Sequence, residues 1–458
     1  MQCSERIVLH CHKYKMKQTF IFLAFFSITW GYVAQVIPVK VAQDPNGQWS
    51  FIRENKPYYV QGVGGHVHMD VAKEIGANSI RTWGVENALS ILNEAQANGL
   101  TVMMGLWVQH ERHGFDYNDP IKVKNQLESF KKVILSLKDH PALLCWGVGN
   151  EVDLFYTNTK VWSAIEDIAK FIHEVDPNHP TCTVTAGLDE KEVKLVKQLA
   201  PSIDVYCVNT YGDIAGVRKN IKEFGWNGPY MITEWGPNGH WEVAKTKWNT
   251  PVEQSSCEKA ASYEERYKNE ILADKSHCIG SYVFLWGQKQ ETTSTWYGVF
   301  SKSGLRSEAV DVLHEFWNPT TLKNRAPQIE KATIEGLSKG EFIILNPGNK
   351  YSASAQVWDV DGDKLKAKWM IVPESTDIKS GGDAEAEPVP VPRCVRKQGV
   401  ESLEFYAPEL EGAYRLFYEV TDGNKHYAYF NIPFYVMPSS NAVSNGRFVS
   451  FKKQQFNP

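Results

Sequence analysis

Two apolar runs of this sequence end on a glutamate, which is an unusual place for a carboxyl group. The stretch CWGVGNEVD, residues 145–153, closes on Asn150 and Glu151, and the run YMITEW brings Glu234 to its end. One such Glu is usually a neighbour of a helix cap, but two that converge can divide the roles of acid and nucleophile. Cleavage of a glycosidic bond needs this division, because one group protonates the leaving oxygen while the other attacks the anomeric carbon.

Other polar residues end neighbouring runs and fit the same chemistry. Arg81 and Tyr211 are predicted to stabilise an ionised Glu234, which makes it the nucleophile. Glu151, beside a neutral amide and near that charge, is predicted to hold its proton as the acid. Asn150 can donate to a sugar 2-hydroxyl, a contact that strengthens in the transition state.

The chain also has 15 Trp residues, which fits either core packing or the stacking of sugar rings on indoles. Trp286 is predicted to form the floor under the sugar ring, and Trp107 and Trp235 are further platform candidates. His110 either contacts substrate or is a loop histidine bonded to backbone. Weaker platform candidates are Trp241, Trp296 and Tyr297, and the carboxylates that rival the assigned pair are Glu111, Glu242 and Glu291.

Eight apolar runs alternate with amphipathic helical patterns, and this predicts an α/β fold of the (β/α)8 TIM-barrel type. The runs span residues 58–65, 78–83, 101–107, 143–150, 181–186, 204–211, 230–235 and 279–286. A doubly wound open sheet is the alternative, disfavoured by the count of eight and by the lack of a phosphate-cradling glycine loop. Functional side chains of such barrels stand at the carboxyl ends of the strands, where the candidates above lie.

The regions around the barrel differ in pattern. Residues 35–57 are predicted to form a lead-in hairpin and residues 58–318 the catalytic barrel. From 319 to 440, alternating strands separated by turns predict an immunoglobulin-like β-sandwich. Residues 379–394 are polar and rich in proline, which predicts a long loop, and residues 441–458 are a C-terminal tail.

The N-terminus predicts export. Residues 20–30 are an apolar run preceded by lysines, typical of a signal peptide within residues 1–34, with Met16 a possible true start. No cysteine follows the run closely, so no lipid anchor is indicated, and the expected location is secreted or periplasmic. In that case Cys257 and Cys278 could pair, although buried free thiols are the favoured interpretation.

Charge and composition restrict the partners. The 49 basic and 53 acidic residues form no basic stripe, which argues against a nucleic-acid partner. No stable membrane insertion, organic cofactor or catalytic metal is predicted, and the acidic stretch from Asp359 to Asp363 favours a hairpin turn over a calcium site. The expected partner is a polysaccharide or oligosaccharide substrate, and the oligomeric state stays open.

The motif GNE at 149–151 and the motif TEWG at 233–236 resemble the acid/base and nucleophile signatures of clan A retaining glycoside hydrolases, including families 2 and 5. The stretches NSIRTWG, HPALLCWGVGNEVD and FLWGQKQETTSTWYGVF also look like glycoside hydrolase family 158. That resemblance implies an endo-β-1,3-glucanase with a barrel followed by an immunoglobulin-like domain. One departure is Asn209-Thr210-Tyr211, where the clan often has His-x-Tyr.

The predicted function is therefore a secreted retaining glycoside hydrolase that cleaves a β-glucan, with an endo-β-1,3-glucanase as the first choice. A transglycosidase, or an exo-acting mannosidase or galactosidase, would use the same residues. A glycan-binding protein without catalysis is a third interpretation, disfavoured because Glu151, Glu234, Arg81 and Tyr211 are all present.

Overall fold

The structure is a computed structural model that describes residues 35–439. Its first element is a small antiparallel sheet of β1 (Val39–Gln43), β2 (Trp49–Arg53) and β3 (Lys56–Tyr58). Val39 and Phe51 of this sheet pack with Met103, Cys145 and Cys207 from the barrel interior. The sheet therefore covers the barrel at the end opposite to the strand termini that carry the candidate site.

Eight parallel strands form a closed barrel, which confirms the predicted fold class. They are β4 (Val60–Gly64), β5 (Ser79–Arg81), β6 (Thr101–Leu106), β7 (Leu143–Asn150), β8 (Thr181–Ala186), β9 (Val205–Asn209), β10 (Tyr230–Trp235) and β11 (Cys278–Val283). Their residues are almost all buried, because the inside of the barrel is filled and the outside is covered by helices. In the sequence such strands are continuous apolar runs, and this is why all eight could be predicted.

The helices around the barrel are α1 (Met69–Glu74), α2 (Ala88–Ala97), α3 (Pro120–Leu137), α4 (Lys160–Val175), α5 (Glu190–Leu199), α6 (Val217–Glu223), α7 (Ser256–Arg266) and α8 (Glu308–Trp317). Their starts follow from local chemistry. Asp119 caps α3 by accepting from two backbone amides, with Pro120 at the first helical position. Ser255 and Glu258 form a reciprocal capping box at the start of α7.

Beyond the barrel, two four-stranded sheets pack face to face, as predicted. One contains β12 (Gln328–Ile334), β14 (Lys350–Trp358), β16 (Val395–Gln398) and β17 (Ser402–Tyr406). The other contains β13 (Ile344–Leu345), β15 (Lys366–Pro373), β18 (Gly412–Thr421) and β19 (Tyr427–Val436). Their core includes Trp369, Phe405 and Phe434, contributed by alternate residues of the strands.

A buried polar network joins the sandwich to the barrel. Glu253 accepts from Lys259 of α7 at 2.5 Å and from Asn431 of β19 at 2.6 Å. It also accepts from the hydroxyls of Thr293 and Thr295, in the segment after β11, at 2.6 and 2.8 Å. Because every donor is satisfied and both domains contribute, the network fixes the loop after β11 against the sandwich.

Several predictions concern features other than the barrel. The predicted signal peptide, the possible start at Met16 and the C-terminal tail lie outside the described residues. Cys257 and Cys278 are both free thiols, so these two cysteines do not form the disulfide that export would allow. Within residues 35–439, no helix combines the length and apolar character needed to cross a membrane.

Candidate active site

A cavity of about 1050 Å³ lies at the carboxyl ends of the barrel strands. Its lining brings together Asn150 and Glu151 from the end of β7 with Tyr211 and Glu234 from the ends of β9 and β10. These residues are far apart in the sequence, and parallel strands closed into a barrel are what gather them at one mouth.

Glu234 is held by three donors. Arg81 donates to Oε1 at 3.1 Å, and the indole of Trp83 donates to the same oxygen at 2.8 Å. The hydroxyl of Tyr211 donates to Oε2 at 3.0 Å. Glu234 and Arg81 are both almost completely buried, so this is a desolvated ion pair held by charge-assisted hydrogen bonds.

Glu151 has a different environment. It accepts one side-chain hydrogen bond, from the amide of Asn209 at 2.8 Å. Burial, and then the charge of Glu234, raise the pKa of Glu151 to about 8, while the Asn209 hydrogen bond lowers it. Near neutral pH this carboxyl group therefore keeps its proton, as a general acid must.

The backbone also positions Glu151. Its φ of 49° lies in the left-handed region, which a non-glycine residue rarely adopts, and Gly149 two residues earlier has φ 81°. Its backbone amide donates to the carbonyl of Val184 at 2.9 Å, which fixes this turn against β8. Strained conformations of this kind persist where the surrounding structure holds them, often at functional sites.

Arg81 and Asn209 connect the two carboxyl groups. Arg81 donates to Asn209 at 3.2 Å, to Asn150 at 2.6 Å and to the carbonyl of Thr233 at 2.6 Å. Asn209 in turn donates to Asn150 at 3.1 Å as well as to Glu151. The oxygen of Asn150 is thus occupied by two donors, which leaves its amide hydrogens for a ligand.

The structure places Trp107 in the cavity wall, but His110 is not part of the lining. His110 is buried and stacks on Trp107 with ring centroids 4.7 Å apart. Burial, followed by the charge of Arg112, lowers the pKa of His110 to about 4. The structure thus places His110 behind the cavity wall, where its neutral ring supports Trp107, and the predicted contact of His110 with substrate stays a prediction.

Two predicted sugar platforms also lie elsewhere. Trp286 is 1% exposed, packs edge-on against Phe300 and does not line the cavity. Strand β11 ends three residues before it, so the cavity wall at this point is Phe284 and Leu285. Trp235 is fully buried and stacks on Tyr267 in the barrel core.

The weaker aromatic candidates divide in the same way. Trp296 and Tyr297 are buried in a cluster with Tyr211 and Phe284 that supports the cavity from behind. Trp241 does line the cavity, is 57% exposed and contacts Tyr211 edge-on. Trp241 is therefore available to stack on a sugar.

The rival carboxylates have other partners. Glu111 accepts from the backbone amides of Thr157 and Asn158 and fixes the loop after β7. Glu242 accepts from the amides of Gly212 and Gly239 and so joins the loops after β9 and β10. Of these three rival carboxylates, Glu291 alone is buried beside the cavity.

Glu291 forms an ion pair with Lys289 at 2.9 Å. Burial raises the pKa of Glu291, and Lys289 opposes that rise. Its ion-pair partner is therefore a cavity lysine, and the charge of Glu234 adds a smaller contribution that raises its pKa.

Sequence reasoning did not assign Trp83, Asn209, Phe284 or Lys289 to the site. Trp83 directly follows Arg81 in the run NSIRTW, so its position at a strand end was a usable signal. Asn209 enters the sequence analysis only as a departure from the clan pattern, yet its side chain links Glu151 to Arg81, which in turn donates to Glu234. The cavity is also lined by Ser380, Gly381 and Gly382 from the sandwich, for which the sequence carries no signal.

The possible metal ligands lie outside this cavity. Among residues 35–439, the acidic oxygens of Asp359, Asp363 and Asp422 lie within 4.8 Å of one another, in the sandwich. Asp359 accepts from the backbone amides of Asp361 and Asp363, which is the hydrogen bonding of an acidic turn.

Comparisons with known proteins indicate similarity to glycoside hydrolases. The model for "Glycosyl hydrolases family 2, TIM barrel domain" matches residues 68–240. Beta-glucuronidase of Sus scrofa is 22% identical over 196 residues, 38% of this chain and 28% of that protein. Beta-glucuronidase of Felis catus is 23% identical over the same shares. The chain thus matches less than a third of the length of these relatives.

Among solved structures, the Faecalibacterium prausnitzii beta-glucuronidase has a TM-score of 0.50 at 17% identity, over 62% of this chain and 52% of that one. This likeness concerns the fold. The resemblance to clan A glycoside hydrolases is supported, whereas nothing among these matches supports family 158. The match to the glycosyl hydrolase family 2 model is limited to residues 68–240, which contain barrel strands β5 to β10.

Proposed function

We propose that this protein is a retaining β-glycosidase with Glu234 as nucleophile and Glu151 as acid/base. The observation that carries the proposal is the asymmetry of the two carboxyl groups. Glu234 accepts from three donors, one of them a guanidinium, while Glu151 accepts one amide hydrogen bond and has its pKa raised to about 8. Environments that separate two carboxyls in this way assign the acid and the nucleophile.

In the first step Glu234 attacks the anomeric carbon and Glu151 gives its proton to the leaving oxygen. The bond between Glu234 and the sugar removes the carboxylate charge that had raised the pKa of Glu151. The pKa of Glu151 then falls, so that it can accept a proton from water in the second step. Water takes the place of Glu234 on the sugar, and the original charges return.

The charges of the cavity favour a neutral sugar. Its lining contains one lysine, Lys289, already paired with Glu291. The carboxyl groups of the lining are Glu151, Asp213, Glu234, Glu242 and Glu291. An added uronate would meet this negative field, so we infer a preference for neutral β-hexosides, although the matched relatives are named beta-glucuronidases.

The sequence-based prediction of an endo-β-1,3-glucanase stays a prediction within this proposal. The matched relatives carry the name of a β-glycosidase and not of a glucanase, and they fit the exo-acting alternative better. A transglycosidase, in which the glycosyl group passes from Glu234 to a sugar hydroxyl instead of to water, would use the same residues.

The test is hydrolysis of a panel of nitrophenyl glycosides, with β-glucoside, β-galactoside, β-mannoside and β-glucuronide beside the matching α-glycosides. We expect cleavage of neutral β-glycosides only, with a β-anomeric first product by NMR. Glu234→Gln is the matched control, since it keeps the shape of the side chain and removes the nucleophile. An α-anomeric first product would contradict retention, and faster cleavage of the β-glucuronide would contradict the neutral substrate.

A further inference from the structure

One loop of the sandwich lies on the mouth of the barrel. It comprises residues 374–394, between β15 and β16, and we call it the sandwich loop. Its segment Ser380–Gly382 lines the same cavity as Glu151 and Glu234. The cavity is therefore built by both domains.

The sandwich loop is attached at two sides of the mouth. On one side, Asp383 accepts from both terminal nitrogens of Arg112, at 2.8 and 3.2 Å, and contacts His113 at 3.1 Å. On the other, Lys289 donates to the carbonyl of Gly382 at 2.6 Å, and Glu385 accepts from the amide of Thr292 at 2.7 Å.

These attachments determine where the loop runs. Arg112 and His113 follow β6, whereas Lys289 and Thr292 follow β11, and the barrel strands between them are β4 and β5. The loop thus spans the mouth from the segment after β11 to the segment after β6, and Gly381 also reaches Leu154 in the segment after β7. Gly381 has φ 63°, and a Cβ there would lie 2.6 Å from Leu154, so the crossing segment packs closely on the barrel.

The other end of the cavity has a different wall. Beyond Glu151 the lining continues over residues 186–188, after β8, and residues 212–217, after β9. Gly212, Asp213 and Ala215 are exposed there, and among the described residues no hydrogen bond or ion pair joins them to the sandwich loop. Because an acid lies beside the group it protonates, this open end is where a leaving group fits.

From these contacts we propose that the sandwich loop closes the glycone end of the cavity and so restricts the enzyme to the non-reducing ends of β-linked chains. The sugar that carries the attacked carbon fits between Glu234 and Ser380–Gly382, and no chain can continue past it. The proposal rests on the proposed glycosidase function, and it departs from the predicted endo action. Residues of the sandwich loop then determine specificity without touching the reacting atoms.

The experiment uses β-1,3-, β-1,4-gluco- and β-1,4-manno-hexasaccharides labelled at the reducing end. We expect the full chain to release single sugars and leave a labelled pentamer as the first product. Two variants open the end wall: replacement of residues 379–385 by two glycines, and Asp383→Ala, which removes the contacts to Arg112 and His113. Glu387→Ala is the matched control, because it removes only the surface ion pair with Lys302 from the same loop.

For the two variants we expect labelled dimers to tetramers to appear as first products, at least about tenfold above the unaltered chain. The Glu387→Ala profile should match that of the unaltered chain. Unchanged first products in a folded loop replacement and in Asp383→Ala would overturn the inference, as would internal cleavage by the unaltered chain. In both cases nitrophenyl glycosides would still be cleaved, whereas loss of all cleavage by the unaltered chain would overturn the proposed function itself.

Discussion

Glu234 at the end of β10 and Glu151 at the end of β7 line one cavity, yet their neighbours have little in common. The side of the mouth around Glu234 supplies a guanidinium, an indole and a phenol, each donating to its carboxylate. The side around Glu151 supplies one amide and a strained backbone. The same side-chain type is thus given two roles by the number and charge of its donors.

The difference has a chemical meaning because the two environments are coupled. The charge of Glu234 is the second largest cause of the raised pKa of Glu151, after burial. Any change that neutralises one group therefore alters the proton affinity of the other. Substitutions on one side of the mouth at a time therefore test how far the two environments differ.

Removal of either carboxyl group is expected to have the largest effect. Glu234→Ala should lose nearly all hydrolysis, and added azide should restore glycosyl transfer with inverted configuration. Glu151→Ala should lower the rate of oligosaccharide hydrolysis by about 100- to 10,000-fold, which is the usual contribution of a general acid. The rate on nitrophenyl glycosides should fall much less, because their leaving group needs no proton. Steady-state rates on both substrate types check this, and equal losses on the two would contradict the acid role of Glu151.

Weakening the donors of Glu234 is expected to have the next largest effect. Arg81→Lys should lower kcat/KM by about 100-fold, because a planar guanidinium that also holds Asn150 and Asn209 is replaced by a point charge. Tyr211→Phe removes one neutral hydrogen-bond donor to Glu234 and should lower kcat/KM by about tenfold. Steady-state kinetics of both variants check this order, and a larger loss in Tyr211→Phe would contradict the leading role of Arg81.

The side of Glu151 can be tested through pH. Activity requires its protonated form, so kcat/KM should fall as pH rises through about 8, where its pKa lies. Asn209→Ala removes the hydrogen bond that lowers this pKa, so the alkaline limb should move to higher pH. Thr233→Val is the control, since it removes only a hydroxyl bonded to Asn209 at 2.9 Å. A downward move of the limb in Asn209→Ala would show that the amide does not stabilise the carboxylate.

The smallest expected effect concerns substrate charge. Glu291→Gln frees Lys289 from its ion pair and removes one negative group from the cavity wall. The ratio of β-glucuronide to β-glucoside cleavage should rise by about threefold to tenfold, which corresponds to about 1 kcal/mol. Competition between the two substrates measures this ratio, and an unchanged ratio would show that cavity charge does not select the sugar.

Much of this organisation could be predicted from the sequence, since buried parallel strands give unbroken apolar runs and their ends carry the chemistry. Glu151, Glu234, Arg81 and Tyr211 were all placed in this way. Trp286 was misplaced because the apolar run continues for three residues after β11 ends. Near a strand end, an apolar run does not indicate which residues line the mouth and which ones pack behind it.

The position of the sandwich loop had no such signal. Its composition correctly predicts a loop, but Arg112 and Asp383 are 271 residues apart, and nothing local indicates that they meet. The same limit applies to Asn209, whose importance comes from its simultaneous contacts to Arg81 and Glu151. Local patterns predict elements, whereas contacts between distant elements depend on how the domains dock.

The buried network around Glu253 has a consequence for how the molecule unfolds. Its donors come from α7, from the segment after β11 and from β19, so separating the domains would take the Asn431 amide away from the buried Glu253 carboxylate. Neither domain can then melt alone without this penalty. The barrel and the sandwich form one cooperative unit, and heat inactivation should coincide with loss of both domains in a single transition.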